Sequence, residues 1–411
     1  MEHANQIIIL GNGFDLACDL KSSYNNFLKF QMENVKPTTT FESIKQSIDS
    51  IDEKEDLDLI KNNQQVSEKL KEIYSTGLNI WTLLLINYYD EKDEKRKWQD
   101  IEDKIHLYLK KGLIGLTKGN QLHKYQQASK KIQHAVILVK GLALFKRLAI
   151  NSNEKMAEFL LEELHNLEKI FNNYLFDNAG YIGSTSNNPG SNYFDRAHDL
   201  LEKLANLDVN SAEKIKYNVM SFNYTNPWDS HKWSSEFSIN SSFTNPIKYI
   251  NVHGEAVKDH KKSTENVNRI IFGIDNKDIE TSSEEYIFTK TYRTLVNYSD
   301  TSKSTKATDA NIFDKSVKTI KFFGHSLGDA DYSYFQQMFD YYNLYGNDDL
   351  KLYFYFSPYD DKINITEYLH EQSLRVIKLL DKYGSTMTNK AHGKNLVTRL
   401  EMTKRLFIKK I

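Results

Sequence analysis

The distribution of apolar residues changes texture twice along the chain. Near the start, Ile7-Ile8-Ile9-Leu10 is an unbroken apolar run, the pattern of a strand covered on both faces. It meets Gly11-Asn12-Gly13, and a helical pattern follows at once. From about 40 to 180 the strand signals stop and the sequence becomes rich in Lys, Glu and Leu. Within that stretch Met156, Phe159, Leu160, Leu164, Leu167, Ile170, Phe171 and Tyr174 recur at helical spacing, predicting a helix over 153–176. From about 215, short β-branched or aromatic runs return at 216–222, 247–252, 269–274, 317–323 and 350–356. They have the near-continuous apolar character of parallel strands. Further helices are expected at 194–207, 331–343 and 364–383. The polar stretches 180–192 and 299–309 read as loops.

These elements predict an α/β fold, a Rossmann-like parallel sheet interrupted by a large helical insertion. The α/β core is expected at 1–35 and 190–411, and the insertion at 40–180. A length of 411 residues fits either one large domain with an insertion or two domains. The 54 Lys+Arg against 55 Asp+Glu leave a net charge of −1, which argues against a nucleic-acid partner. Cys18 is the sole cysteine, excluding an intrachain disulfide and a cysteine-built zinc site. The N-terminus carries no signal-peptide pattern, and the longest apolar stretch, 135–150, is interrupted by Lys140, Lys146 and Arg147. A cytoplasmic protein without membrane association is expected.

In an open α/β sheet, ligands bind beyond the carboxyl ends of the strands. Four predicted strand ends carry glycine or a hydrogen-bonding side chain. They are Gly11 to Asp15; Asn223-Tyr224-Thr225; His253-Gly254; and Gly324-His325-Ser326-Leu327-Gly328-Asp329-Ala330-Asp331. Gly11 would allow a tight turn, and Gly13 would let a ligand approach backbone N–H groups at a helix N-terminus. The third glycine of the dinucleotide fingerprint is replaced by Leu16. Ordinary polar loop starts are the alternative at each position.

GNGFDLACDLKSSYNNFL from residue 11, WQDIE at 98–102, SFNYT at 221–225, VHG at 252–254 and FFGHSLGDAD at 322–331 together resemble the AbiH family of bacterial abortive-infection proteins. AbiH proteins are in turn similar to sirtuin-type NAD-binding domains, whose GAG, TQN, HG and GTSL motifs occur in the same order as Gly11–Gly13, Ser221–Asn223, His253-Gly254 and Gly324–Leu327. The resemblance implies a sirtuin-like core with NAD as substrate, no metal, and an antiphage role set off by an unknown phage-derived trigger. Thr225 stands where the sirtuin motif has aspartate, and one cysteine cannot build the sirtuin zinc ribbon, so deacylation is disfavoured. Asp19 stands where glycine is expected; aspartate tolerates positive φ better than most residues.

By this resemblance Asn223 binds the ribose or positions the attacking water, and His253 is the general base or a ribose partner. Gly11, Asn12, Gly13, Phe14, Gly324, His325 and Ser326 form the nucleotide-binding set. Asp329 and Asp331 either bind ribose hydroxyls or cap the helix beginning near Tyr332. Asp15 is placed near the nicotinamide ribose, or as an orienter of the turn, because beside pyrophosphate it would repel. Tyr24, Asn26 and Phe27 fall roughly where sirtuins approach the nicotinamide, with Phe27 equally suited to the core. Trp98, Ile101 and Ile105 form an apolar stripe; Glu102 beside it is either a second acid/base group or solvated. Lys290 is read as surface rather than as a phosphate partner. The favoured function is NAD⁺ hydrolysis to ADP-ribose and nicotinamide, with the helical insertion a candidate gate or homo-oligomer surface. A non-catalytic nucleotide sensor and a nucleic-acid-directed toxin such as a nuclease are the alternatives.

Overall fold

The computed structural model describes residues 3–35, 40–51, 64–88, 101–116, 122–180, 193–209, 214–228, 244–257, 270–277, 279–299, 311–357 and 364–411. Trp98, most of the 180–192 loop and nearly all of the 299–309 loop lie outside those residues. The chain divides into two compact units. One comprises 1–22, 175–260 and 298–411; the other comprises 23–174 and 261–297.

The first unit is built on six parallel strands: β1 (Gln6–Leu10), β2 (Tyr217–Ser221), β3 (Lys248–Asn251), β4 (Thr319–Phe323), β5 (Lys351–Phe356) and β6 (Leu406–Lys410). Their order in the sheet is β3-β2-β1-β4-β5-β6. That is the order of doubly wound dinucleotide-binding sheets, in which the winding reverses between the first and fourth strands. Every residue of β1 and β2 is buried, which is why their sequences do not alternate between apolar and polar.

Strand parity explains how both faces are covered. Ile7, Ile9, Met220, Ile320, Phe322, Leu352 and Phe354 share a core with Phe335, Met338 and Phe339 of the helix Tyr332–Tyr341 and with Val376, Leu379 and Leu380 of the helix Ile365–Thr386. On the opposite face, Gln6 and Lys321 reach the end of the helix Tyr193–Asn206. There Gln6 donates to the Ala205 carbonyl at 3.0 Å. The buried Lys321 ammonium donates to the carbonyls of Leu204, Ala205 and Leu207 at 2.9, 3.0 and 2.6 Å, closing the C-terminal end of that helix.

The second unit is helical. Its helices Ile80–Tyr88 and Lys130–Phe145 are buried over most of their surface, as the apolar residues that run round both of them require. The long helix expected over 153–176 spans Asn153–Asp177. Two sequence expectations change. The apolar run 269–274 forms no strand of the sheet; among its described residues only Ile274 makes an isolated bridge, to Thr289. Conversely, β6 was missed.

No helix among the described residues is long and apolar enough to cross a membrane.

Candidate functional site

The strand register brings four polar strand ends level. Leu10 pairs with Ser221 and Phe323, and Ser221 pairs with Asn251. The segments that follow these residues are the four singled out by sequence. They therefore emerge on one edge of the sheet, with the turns after β1 and β4 side by side where the winding reverses.

Those two turns interlock through backbone. The Gly11 N–H donates to the Phe323 carbonyl at 3.0 Å and the Gly13 N–H to the Gly324 carbonyl at 2.8 Å. A Cβ on Gly13 would lie 2.6 Å from Gly324 Cα, and one on Gly324, which holds φ 71°, would lie 2.4 Å from Phe14 N. The close approach that Gly13 permits is thus made by another loop of the protein. The Gly13 and Phe14 amides are engaged internally, the latter with the Gly11 carbonyl at 2.8 Å. Any phosphate at this turn must work alongside those bonds. Asn12 is exposed, and its side-chain oxygen accepts from Ser22 Oγ at 2.5 Å. Asp19 adopts φ 61°, the left-handed conformation expected of it, and pairs with Arg196.

Asp15 is 1 % exposed and forms the centre of a buried cluster. Tyr193 Oη lies 2.7 Å from its Oδ1, and Thr225 Oγ1 lies 2.9 Å from both carboxylate oxygens. The two hydroxyls are also 3.0 Å apart. With an ionised carboxylate, this triangle of oxygen contacts holds only two protons. A proton on Asp15 supplies the third. Burial pushes the Asp15 pKa up to about 7, while the Tyr193 and Thr225 hydroxyls and the nearby Asn223 amide hold it partly down. Burial also pushes the adjacent Cys18 thiol up to about 12, reinforced by Asp15, which makes it a poor nucleophile.

Asn223 follows β2 directly. The Ser221 hydroxyl accepts its N–H at 3.1 Å, and the Asn251 amide donates to the Asn223 and Thr225 carbonyls at 2.8 and 2.7 Å. That clip fixes the backbone of the turn. The Asn223 side chain is 3 % exposed, and its amide oxygen and nitrogen make no hydrogen bond of ordinary geometry among the described residues. A buried amide left in that state is costly unless something else engages it.

His253 follows β3 and its Nε2 lies 2.8 Å from Asp331 Oδ1. The other carboxylate oxygen, Oδ2, lies 3.2 Å from His325 Nε2. The Phe222 ring packs edge-on against both imidazoles, with centroids 5.5 and 4.5 Å away. Asp329, by contrast, is turned away. Its carboxylate is 63 % exposed and pairs with Lys382 at 2.6 Å and Lys378 at 3.6 Å. Neither aspartate caps its helix through its side chain. Ser326 is exposed, and its hydroxyl accepts a long bond from the Gly328 N–H.

Residues assigned to the helical unit have different roles there. Phe27 is core, packed on Phe171 and Tyr174 at 5.0 and 5.3 Å; Tyr24 contacts Phe171 and Phe272. Ile101 and Ile105 are buried, as their spacing suggested. Glu102 is not solvated: it pairs with Lys290 at 2.8 Å and accepts the Gly273 N–H at 3.2 Å. Lys290 is only 2 % exposed, so the surface reading is corrected. Asn251 and Tyr193 were missed by sequence reading. Asn251 lies inside a predicted strand and Tyr193 beside a predicted helix start, with nothing local to mark them.

Fold and site define a doubly wound, all-parallel α/β protein with a polar cluster at its topological switch point. A family model described as Bacteriophage abortive infection AbiH matches residues 7–347. The chain belongs to the AbiH family. No curated protein matches the chain, and no solved structure does.

Proposed function

We propose that this protein is an abortive-infection effector whose α/β unit is a sirtuin-like NAD⁺ hydrolase. AbiH membership supports the antiphage role. The observation that carries the chemistry is the Asn223 amide, buried without an ordinary hydrogen bond at the same sheet edge as the His253–Asp331 pair. An amide both donates and accepts, which suits holding a ribose hydroxyl and the attacking water together. His253 takes a proton from that water as its oxygen bonds to the anomeric carbon. The bond from that carbon to the nicotinamide nitrogen breaks through an oxocarbenium-like transition state. The bonding pair leaves with neutral nicotinamide, and ADP-ribose and one proton are the other products.

An enzyme that depletes an essential cofactor requires a trigger, and we assign that control to the helical unit. The test is intracellular NAD⁺ measured by mass spectrometry during phage challenge. Wild type is compared with Asn223→Ala and His253→Ala at matched protein levels. Collapse of NAD⁺ in wild type alone is expected. Unchanged NAD⁺ in wild-type cells that remain protected would overturn the hydrolase reading.

A further inference from the structure

Asp331 stands at the N-cap of the helix Tyr332–Tyr341, yet its side chain makes no capping bond. Its carboxylate is instead divided between two histidines from different strand ends, Oδ1 to His253 and Oδ2 to His325. All three side chains are largely buried, at 15 % exposure for Asp331, 5 % for His253 and 4 % for His325.

The proton positions follow from the hydrogen bonds. His325 Nδ1 accepts the Leu327 N–H at 2.9 Å, in a turn that Leu327 makes with φ 58°. The neutral His325 ring therefore carries its proton on Nε2, facing Asp331 Oδ2. An ionised carboxylate only accepts, so His253 presents Nε2–H to Oδ1 and keeps the ring lone pair on Nδ1. Asp331, Phe222 and Tyr334 lie against the His253 ring, and His325 is reached through the shared carboxylate. A fixed negative charge against one edge of the ring favours its protonated form, and the surrounding aromatic rings keep the dielectric low.

We infer that Asp331 is a positioning residue: it fixes the ring of His253 with Nδ1 as the proton acceptor and strengthens it as a base, while His325 anchors the carboxylate. This rests on the hydrolase reading for its purpose, but not for its test. The sequence had offered only ribose binding or helix capping for Asp331.

The first test needs no turnover. Full-length protein carrying ¹⁵N-labelled histidine is titrated by NMR, with His253 and His325 assigned from single variants. His253 is expected to be the Nε2–H tautomer when neutral. In Asp331→Asn its midpoint is expected to fall by about one pH unit or more, and in Asp331→Glu to stay near wild type. An Nδ1–H tautomer in wild type, or a midpoint unmoved in Asp331→Asn, overturns the inference.

The second test uses NAD⁺ cleavage by the purified, triggered protein. Asp331→Asn should lower kcat roughly 10–100-fold with little change in KM, move the acidic limb of the pH profile downwards, and be partly rescued by Asp331→Glu. A raised KM with the acidic limb unmoved would instead make Asp331 a ribose ligand and overturn the positioning role. If wild type cleaves no NAD⁺ under any trigger, the hydrolase reading fails, while the NMR titration still decides the geometry.

Discussion

Replacing Asp15 by Asn tests the buried cluster directly. The two side chains have nearly the same shape, and the amide can donate where a protonated carboxyl would. The Asp15 carboxyl titrates near 7 in the folded protein against an ordinary 3.8, because burial disfavours its charged form. The folded pKa is raised, so the native state holds the proton over a range in which the unfolded chain has released it. Stability linked to Asp15 is therefore complete below about pH 4 and is lost as pH rises towards 7. A difference of about three pH units corresponds to on the order of 4 kcal/mol. Asp15→Asn has no proton to lose. Urea denaturation of both proteins across pH 4.5–8 should show wild type losing roughly 2–4 kcal/mol relative to the variant, with the difference levelling off above pH 7. Parallel stability curves would refute the reasoning and return Asp15 to the role of an ordinary ionised carboxylate.

Three further substitutions probe what holds each unit together. Gly324→Ala should destabilise by about 2 kcal/mol or more, because its Cβ meets Phe14 backbone nitrogen at 2.4 Å and its φ is 71°; an unchanged Tm would show that the turns are free to separate. Lys321→Met keeps the apolar stem but leaves the carbonyls of Leu204, Ala205 and Leu207 without their shared donor, at an expected cost of about 1–3 kcal/mol in urea. In the helical unit, Glu168 accepts two bonds from Arg293, at 2.5 and 2.8 Å, and one from the Phe272 N–H at 2.7 Å. Glu168→Gln leaves a buried guanidinium uncompensated, so a loss of about 3–5 kcal/mol is expected, read by chemical denaturation of the whole chain.

The elements that the sequence foretold are those whose pattern is self-contained. The apolar run of β1 and the near-continuous apolar runs of β2, β4 and β5 predicted buried parallel strands, and the 3.6-residue spacing between Met156 and Tyr174 predicted the helix Asn153–Asp177. Glycine and polar side chains at the strand ends located the sheet edge that carries the candidate site. The order of the motifs along the chain pointed to the family.

Other features depended on partners distant in sequence. β6, Leu406-Phe407-Ile408-Lys409-Lys410, offers only a three-residue apolar run before two lysines; its pairing with β5 makes it a strand. Residues 270–274 look locally like a strand, yet two of their backbone amides are taken by Glu168 and Glu102. Lys290 looks like a surface lysine until Glu102 makes its burial tolerable. Asp15 meets Tyr193 across 178 residues, and Asp331 meets His253 across 78. A side chain's type and neighbours in the chain state what bonds it can make, whereas burial and the choice of partner arise only when distant segments are packed together. The sequence therefore determined β1 to β5, the long helices and the edge where polar strand ends gather. The tertiary structure alone decided which carboxylate is pushed towards neutrality, which one orients a histidine, and which is left to the solvent.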